Sequence, residues 1–225
     1  MRSASLMDTT HSKRIGILGG TFNPPHLGHM ILAQDAAEAF QLDHVWFLPC
    51  AQPAHKPYTI VAAAEHRVNM VKLCMGNDPR WQCSLLEIER AGVSYTIDTL
   101  QAVTQQRPDV DWHFIVGADT LLELHSWRNI EAVLSLCWMI AMRRPGLPGA
   151  DALRNQIQLP APWPDVLIEG LFEGHLIDVS STEIRKRVAQ KRSIRYLVPA
   201  EVEQYILAHE LYCQGHNEGD VSSKP

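Results

Sequence analysis

Short apolar runs alternate with amphipathic stretches along most of this 225-residue chain. The runs Arg14–Leu18, His44–Pro49 and Trp138–Met142 have the length of buried strands. Between the first two, apolar residues recur at helical spacing from Met30 to Phe40. Strands that are apolar nearly throughout and alternate with helices indicate a parallel sheet covered on both faces. The pattern therefore predicts a doubly wound α/β fold with a mostly parallel sheet and a small C-terminal helical part.

The remaining elements follow from the same reasoning, and the helix that begins at Tyr95 is expected to use Ser94 or Thr96 as its cap. Further strands are predicted at Trp81–Ile88, Trp112–Val116, Val166–Ile168 and His175–Val179. Further helices are predicted at Ala62–Met75, Tyr95–Gln106, Leu121–Leu124, Ile130–Leu134, Ser180–Lys191 and Ala200–Leu211. The proline-rich segment 145–164 is expected to be a surface excursion. One domain is expected over residues 13–212, with flexible tails at 1–12 and 213–225.

Composition narrows the class of protein. The chain is 46% apolar and 20% charged, as in ordinary globular proteins. A formal charge of −5 argues against a nucleic-acid partner bound through a broad basic surface. The five cysteines show no Cys-x-x-Cys spacing, so reduced thiols in a cytoplasm are expected. No apolar run approaches the ~20 residues of a membrane span, and the first residues lack the apolar centre of a signal peptide.

The stretch Gly19–His29 joins the first apolar run to the first amphipathic stretch. Its glycines allow a sharp turn and a close backbone approach to a ligand, and a helix start favours anions. His26 and His29 add hydrogen-bond donors there. The stretch lacks the Gly-Lys-Ser/Thr ending of a P-loop and the dinucleotide fingerprint. It predicts a site for phosphate oxygens that gain charge in a reaction, and the alternative is a junction with two solvated histidines.

The topology makes a second prediction about this site. Ligands of parallel α/β sheets bind beyond the carboxyl ends of the strands. The Gly19–His29 turn, the His55-Lys56 loop, Asp119 and the pair Arg143-Arg144 all follow predicted strands or lie in the loops after them. These residues are therefore expected to gather at one edge of the sheet.

The stretch Ser180–Arg185 opens a basic helix near the C-terminus. Ser180 and Glu183 can form a capping box, in which each satisfies the backbone of the other. Three hydroxyls at a helix start, followed one turn later by Arg185, also make an anion site. Two such sites in one α/β domain suit a polyphosphate better than a single phosphate. The sequence leaves both interpretations open.

These two stretches resemble the signatures of the nucleotidyltransferase superfamily, Gly-Gly-Thr-Phe-(Asn/Asp)-Pro-x-His-x-Gly-His and Ile-Ser-Ser-Thr-x-Ile-Arg, with Val179 at the first position of the second. Within the superfamily, the chain is similar to bacterial nicotinate mononucleotide adenylyltransferases from about Arg14 to Leu211. Ala54 stands where that family usually has a second proline, which alters the stiffness of its loop. The resemblance implies a Rossmann-like fold. The residues that support it are 53–56, 94–100, 117–121, Trp127 and 143–146.

The resemblance also implies an enzyme that joins nicotinate mononucleotide to the AMP part of ATP, giving deamido-NAD and pyrophosphate. The implied catalytic residues are His29, His26 and Arg185. The implied ATP-binding residues are Gly19, Gly20, Thr21, Phe22, His26, His29, Gly117, Asp119, Ser181, Thr182 and Arg185. The implied mononucleotide-binding residues are His55, Lys56, Tyr95, Thr96, Trp127 and Arg143.

The expected cofactor is Mg²⁺, bound mainly through the phosphates of ATP, so that no protein cage of carboxylates is required. A zinc site built on His26, His29 and a cysteine lacks a third ligand at a suitable spacing. A homodimer is an open expectation, and no membrane partner is expected. The first alternative keeps the chemistry but uses phosphopantetheine or nicotinamide mononucleotide as acceptor. The second is a nucleotide-binding module without catalysis, against which the two histidines and Arg185 argue.

Overall fold

The computed structural model describes residues 12–53, 61–143, 148–175 and 177–213. Its strands are β1 (Lys13–Gly20), β2 (His44–Pro49), β3 (Gln52–Pro53), β4 (Trp81–Cys83), β5 (Val93–Ser94), β6 (Val110–Gly117), β7 (Trp138–Met142) and β8 (Leu171–Phe172). Its α-helices are α1 (Leu27–Ala39), α2 (Ala64–Met75), α3 (Leu86–Arg90), α4 (Thr96–Gln106), α5 (Ile130–Leu136), α6 (Ala150–Arg154), α7 (Trp163–Glu169), α8 (Ser181–Ala189) and α9 (Ala200–Ala208). Two 3₁₀ turns span Ala118–Leu122 and Leu124–Ser126.

Six strands form one parallel sheet in the order β4-β2-β1-β6-β7-β8. The central strand β1 pairs with β2 and β6, and its residues Ile15 and Ile17 are fully buried. A strand covered on both faces has no solvated side, which is why its sequence is an apolar run and not an alternating one. The short strands β3 and β5 form a separate parallel pair. The predicted doubly wound α/β sheet is confirmed.

Three apolar clusters hold the helices against this sheet. The largest joins β1, β6 and β7 to α4, α5, α6 and α7, and includes the buried Leu100 and Val133. The second packs α1 and part of α2 on the other face, around Ala33 and Val71. In the third, α2 packs against α8 and α9 through residues such as Ile184. This third cluster is the predicted C-terminal helical part, and it brings the start of α8 to the side of the molecule that carries α1.

Two strands predicted near the C-terminus are wrong. Val166–Ile168 lies inside α7, which has a proline in its first turn, where the missing N–H is not needed by the helix. Only Leu167 of the three is fully buried. Periodicity cannot separate a strand from a helix in so short a run. The described residues of His175–Val179 are in neither a helix nor a strand, and the edge of the sheet is formed by β8 instead.

Two boundaries also differ from the prediction. Strand structure in Trp81–Ile88 ends with β4, and the chain then turns into α3. The N-cap residue of α4 is Tyr95, which has an extended backbone, and not Ser94 or Thr96. The reason for the second difference is that Ser94 is held in β5, where it pairs with Pro53.

The proline-rich segment is packed more closely than predicted. Leu153 and Ile157 are buried in the largest apolar cluster and anchor the segment to the core, while the other described residues of 148–164 are exposed or half-buried, as a surface excursion requires. The tails expected at 1–12 and 213–225 lie outside the described residues, except at Ser12 and Cys213. Among the helices of the described ranges, none combines the length and the apolar character that crossing a membrane requires.

Candidate active site

The turn between β1 and α1 holds two imidazole rings at the start of α1. His26 is the N-cap residue, and its backbone N–H donates to Nδ1 of His29 over 3.1 Å. The ring centroids of His26 and His29 are 3.7 Å apart. Because Nδ1 of His29 accepts this hydrogen bond, the proton of the neutral ring is on Nε2. His29 is therefore held in the tautomer whose Nε2 is a donor.

Phe22 fixes the backbone of this turn. It is almost fully buried and has a left-handed backbone with a φ of 49°, a conformation that costs of order 1–3 kcal/mol in a non-glycine residue. Its ring lies 5.0 Å from the ring of His29 and 6.2 Å from that of Phe47. Burial of the ring against Phe47 and beside His29 offsets this strain.

The start of α8 contacts this turn directly, although the two are far apart in the chain. Oγ of Ser181 donates to the carbonyl oxygen of Pro24 over 2.7 Å. The guanidinium of Arg185 donates to the carbonyl oxygen of Asn23 over 2.8 Å and to Oγ1 of Thr182 over 3.3 Å. The structure thus brings together the two stretches that the sequence singles out as anion sites.

The capping interpretation of α8 holds as well, on Ser180 as predicted. Oγ of Ser180 accepts the backbone N–H of Glu183 over 3.1 Å, as in the first half of a capping box. Ser181 and Thr182 are the first two residues of the helix, where backbone N–H groups lack intrahelical acceptors. One hydroxyl therefore caps the helix, while the next two lie where an anion would bind.

The side chain of Asn23 ties the turn between β1 and α1 to two other parts of the chain. Its side chain is buried, and Oδ1 accepts the backbone N–H of Ala62 over 3.0 Å and the hydroxyl of Tyr212 over 2.8 Å. Burial raises the pKa of Tyr212, which keeps the hydroxyl protonated and able to donate. Tyr212 has no place in either signature, and its contact joins the C-terminal end of the described chain to the candidate site.

The carboxyl ends of β1, β6 and β7 meet at the same edge of the sheet. Gly20 and Gly117 are the last residues of β1 and β6, and the exposed Asp119 lies in the 3₁₀ turn that follows β6. Arg143 directly follows β7, and its guanidinium is 3.0 Å from the carboxylate of the exposed Glu173. The predicted gathering at this edge is seen for these residues, whereas the loop 54–60 and Arg144 lie outside the described residues.

The acceptor-side residues named by the resemblance fall on two neighbouring segments. Tyr95 caps α4, and Thr96 is its first residue. The guanidinium of Arg128 lies over the ring of Tyr95 at 4.8 Å. Trp127 directly precedes Arg128 and is therefore close to the start of α4. Trp127 is half-buried, and its ring meets Phe114 edge-on at 6.0 Å. The other two expected contacts, His55 and Lys56, lie outside the described residues.

A buried polar network that belongs to neither signature lies beneath these loops. Arg67 of α2 is 1% exposed and Glu87 of α3 is 6% exposed. Oε1 of Glu87 accepts the hydroxyl of Thr99 over 2.6 Å, and its carboxylate also bonds the hydroxyl of Ser94. Burial nevertheless raises the pKa of Glu87 above its ordinary value, because desolvation outweighs these hydrogen bonds. Ser94 directly precedes Tyr95, so the network reaches the start of α4.

An exposed apolar side chain beside Gly28 is a further feature that sequence reasoning missed. Ile177 is 41% exposed, and its Cγ2 would lie 3.7 Å from a Cβ added at Gly28. The same Cβ would lie 3.0 Å from Nδ1 of His26. The absence of a side chain at Gly28 therefore lets the His26 ring pack closely against the start of α1, with Ile177 nearby.

Comparison with known proteins identifies the class to which this fold and site belong. Residues 17–187 match the cytidylyltransferase-like family, and the chain belongs to that family. It is 42% identical over 202 residues to a probable nicotinate-nucleotide adenylyltransferase of Synechococcus sp., covering 89% of this chain and 95% of the relative. A probable nicotinate-nucleotide adenylyltransferase of Lactiplantibacillus plantarum is 41% identical over 202 residues, which cover 90% and 89%. Within the wider family, the chain is a member of the nicotinate-nucleotide adenylyltransferases.

A solved structure shares the fold at lower sequence identity. The Plasmodium falciparum nicotinic acid mononucleotide adenylyltransferase, complexed with NaAD, matches with a TM-score of 0.71 and 18% identity, over 90% of this chain and 98% of that chain. At this identity the likeness concerns the fold. It confirms the Rossmann-like α/β class that the resemblance implies.

Proposed function

We propose that this protein transfers AMP from ATP to nicotinate mononucleotide, giving deamido-NAD and pyrophosphate. The observation that carries the proposal is the hydrogen bond from Arg185 to the carbonyl of Asn23, which joins two anion-binding helix starts at one place. Such a pair suits a triphosphate better than a single phosphate. The printed names of the 42% and 41% identical relatives support nicotinate mononucleotide as the acceptor.

The reaction needs alignment more than it needs a base. An oxygen of the mononucleotide 5′-phosphate attacks the α-phosphorus of ATP, and the bond to the bridging oxygen breaks as pyrophosphate leaves with the electron pair. The nucleophile is already an anion, so no proton has to be removed and no covalent enzyme intermediate forms. Alignment of two reactants contributes about 7–11 kcal/mol, and one preorganised donor at the reacting phosphate adds about 3 kcal/mol.

On the ATP side, Nε2–H of His29 donates to the α-phosphate, where negative charge accumulates in the transition state. His26 contacts the adjoining phosphates. Asp119 accepts from a ribose hydroxyl, and Ile177 offers an apolar surface to the base. The backbone lines the nucleotide at Gly19, Gly20, Thr21 and Phe22, where β1 ends and the chain turns towards α1, and at Gly117, the last residue of β6. The β- and γ-phosphates are held by Ser181, Thr182 and Arg185.

On the acceptor side, the first turn of α4 receives the pyridine carboxylate, because N–H groups at a helix start favour a negative charge. Thr96 supplies these groups, with Tyr95 beside it, and Trp127 stacks on the ring. Arg143 holds the mononucleotide phosphate. Its pair with the exposed Glu173 contributes at most about 1 kcal/mol, so a phosphate dianion can replace it. His55 and Lys56 are the further candidates for this phosphate.

Mg²⁺ fits this site as an ion carried by the nucleotide. Among residues 12–53, 61–143, 148–175 and 177–213, no three His, Cys, Asp or Glu side chains are grouped so as to hold a metal. Phosphate oxygens and water would therefore supply most of the ligands. The ion would neutralise charge on the phosphates during transfer. A cytoplasmic enzyme, monomeric or dimeric, is consistent with this substrate set.

The acceptor is tested by measuring pyrophosphate release with nicotinate mononucleotide, nicotinamide mononucleotide and phosphopantetheine side by side. We expect the highest kcat/KM with nicotinate mononucleotide, since its carboxylate alone complements the start of α4. Equal or better use of phosphopantetheine would remove the proposed substrate. No release with any of the three, despite tight binding of ATP, would favour a non-catalytic nucleotide-binding module.

The role of His29 is tested by His29→Ala. The lost donor acts on the transition state, so turnover should fall about a hundredfold while affinity for a non-hydrolysable ATP analogue changes little. His44→Ala is the matched control, because His44 starts β2 at the opposite edge of the sheet. Unchanged turnover of His29→Ala would contradict the mechanism.

A further inference from the structure

Arg67 is the largest charged side chain buried in the described chain, and it lies between the loops that follow β1 and β2. Its guanidinium makes four hydrogen bonds to three segments of backbone. Nη1 donates to the carbonyl oxygens of Thr21 over 2.9 Å and Cys50 over 2.7 Å. Nη2 donates to Ala51 over 3.2 Å, and Nε donates to Ala62 over 3.0 Å.

The stability of the fold does not explain why the positively charged Arg67 side chain is buried between these loops. Transferring a charged group out of water is costly, and the four acceptors of Arg67 are all neutral carbonyls. The two strands are already joined by their own ladder, which extends to Gly20 and Pro49 and is followed by a hydrogen bond of 2.9 Å from Cys50 N–H to the Gly20 carbonyl. What the guanidinium adds is a fixed direction for several carbonyls, because its donors form a rigid planar fork.

The direction of the Thr21 carbonyl determines the direction of the next N–H. In a planar trans peptide the C=O and N–H bonds point opposite ways. The carbonyl of Thr21 points at Arg67, so the N–H of Phe22 points away from the guanidinium. The carbonyl of Asn23 is held in turn by Arg185. Two arginines thus orient the Thr21–Phe22 and Asn23–Pro24 peptide groups of the loop that we propose lines the nucleotide.

The same guanidinium reaches the acceptor side through the loop after β2. The N–H of Ala51 donates to Oγ of Ser94 over 3.1 Å, while the carbonyl of Ala51 accepts from Arg67. Ser94 is bonded to the buried Glu87, which also accepts from Thr99 in α4. A continuous set of hydrogen bonds, partly buried at Ala51 and fully buried at Glu87, therefore runs from Arg67 to the helix whose start we assign to the pyridine carboxylate.

We propose that Arg67 is a positioning residue, which holds the nucleotide loop after β1 and the acceptor segment at Ser94–Thr96 at the separation that in-line attack requires. It contacts neither substrate and acts only through the backbone groups that it orients. The inference rests on the proposed adenylyl transfer and deepens it. It explains how two halves of one site, each built on a different strand end, keep a common spacing.

A ligand that spans both halves separates positioning from ordinary stabilisation. In Arg67→Lys, a flexible ammonium replaces the planar fork, so each half keeps its own contacts while their separation is no longer fixed. We expect affinity for a non-hydrolysable ATP analogue and for nicotinate mononucleotide to stay within about threefold. The dinucleotide product deamido-NAD should bind at least about tenfold more weakly, and kcat should fall about a hundredfold, as expected for a misalignment near 1 Å. Calorimetric titration and pyrophosphate release give these values.

Two further variants keep the test sharp. Arg80→Lys is the matched control, because Arg80 is bonded to Asp78 and Gln34 at the amino end of β4, away from the carboxyl ends of the strands. It should leave all three affinities and kcat unchanged. Ser94→Ala breaks the link to Ala51 without burying a new charge, and it should weaken the dinucleotide more than either single substrate. It replaces Arg67→Lys if that variant fails to fold.

The outcomes distinguish this inference from the proposed function. Parallel loss of all three affinities, or a lower melting temperature with wild-type kcat and wild-type dinucleotide affinity, would overturn the positioning role and leave Arg67 as a stabilising residue. No effect of either Arg67→Lys or Ser94→Ala would overturn it too. If the wild-type protein neither releases pyrophosphate nor binds the dinucleotide, the proposed function fails first and the positioning role falls with it.

Discussion

Alanine at Gly28 tests whether catalysis depends on the position of the His26 ring. Gly28 is the second residue of α1, and an added Cβ would lie 3.0 Å from Nδ1 and 3.1 Å from Cε1 of His26. Contacts this short force the ring to move by a few tenths of an ångström. Since His26 is 8% exposed and its ring lies 3.7 Å from that of His29, the movement is passed on to His29.

The expected magnitudes have opposite signs for stability and for activity. A displacement of 1 Å in a reacting group costs about a hundredfold in rate, so a shift of a few tenths should lower kcat about threefold to tenfold. A tenfold loss corresponds to about 1.4 kcal/mol in activation free energy. Alanine is favoured over glycine in a helix by about 0.5–1 kcal/mol, which offsets the tight contact. Gly28→Ala should therefore unfold at the wild-type temperature or above while turning over more slowly.

Pyrophosphate release and thermal unfolding measure the two quantities on the same preparation. Gly149→Ala is the matched control, because Gly149 precedes α6 with a φ of −57°, and an added Cβ there has nothing within 4 Å. That variant should keep wild-type turnover. Wild-type turnover in Gly28→Ala would refute the reasoning, since it would mean that a displaced His26 ring does not limit the reaction. A similar loss in both variants would refute it as well.

Two other substitutions probe the buried polar groups. Burial raises the pKa of Glu87 above 4.5, so the folded state binds its proton more tightly and wild-type stability falls as pH rises from 4.5 through the raised value. Glu87→Gln should remove that slope in urea unfolding measured across this range, and a slope that persists would assign it to another group. Tyr212→Phe removes the hydrogen bond to Asn23, which still accepts from Ala62, and should lower the free energy of unfolding by about 0.5–1.5 kcal/mol. An unchanged denaturant midpoint would contradict this contribution.

The candidate site was predictable where its signals are local. The turn Gly19–His29 combines glycines, prolines and histidines at a strand–helix junction, and each residue type has a physical reason to be there. The same holds for Ser180–Arg185, where the sequence left a cap and an anion site open. In the structure Ser180 caps α8, while Ser181 and Arg185 are bonded to carbonyls of the loop after β1, so the confirmed cap leaves the anion site open as a proposal.

Prediction failed where an element depends on distant packing. The run Val166–Ile168 satisfies a buried strand and a buried helix equally well, and the choice is made by the prolines beside it and by the packing of Leu167 against the sheet. Likewise Leu153 and Ile157 sit among polar residues and prolines, which suggested a surface segment. Their burial depends on contacts with the largest apolar cluster, which come from distant parts of the chain and leave no local pattern.

The role of Arg67 could not be predicted from the sequence for a different reason, which is the kind of group that its side chain bonds. Its position was visible, because Arg67 lies in the same buried stripe of α2 as Met70, Val71 and Cys74, where an arginine breaks the apolar pattern. Its role was not visible, because its four partners are backbone carbonyls. A pair of side chains leaves complementary residue types in a sequence, whereas every residue has a carbonyl. A residue that orients a site through the backbone therefore has no recognisable partner in the sequence. Its only sign in the sequence is a charged residue at a position where the helix pattern predicts an apolar one.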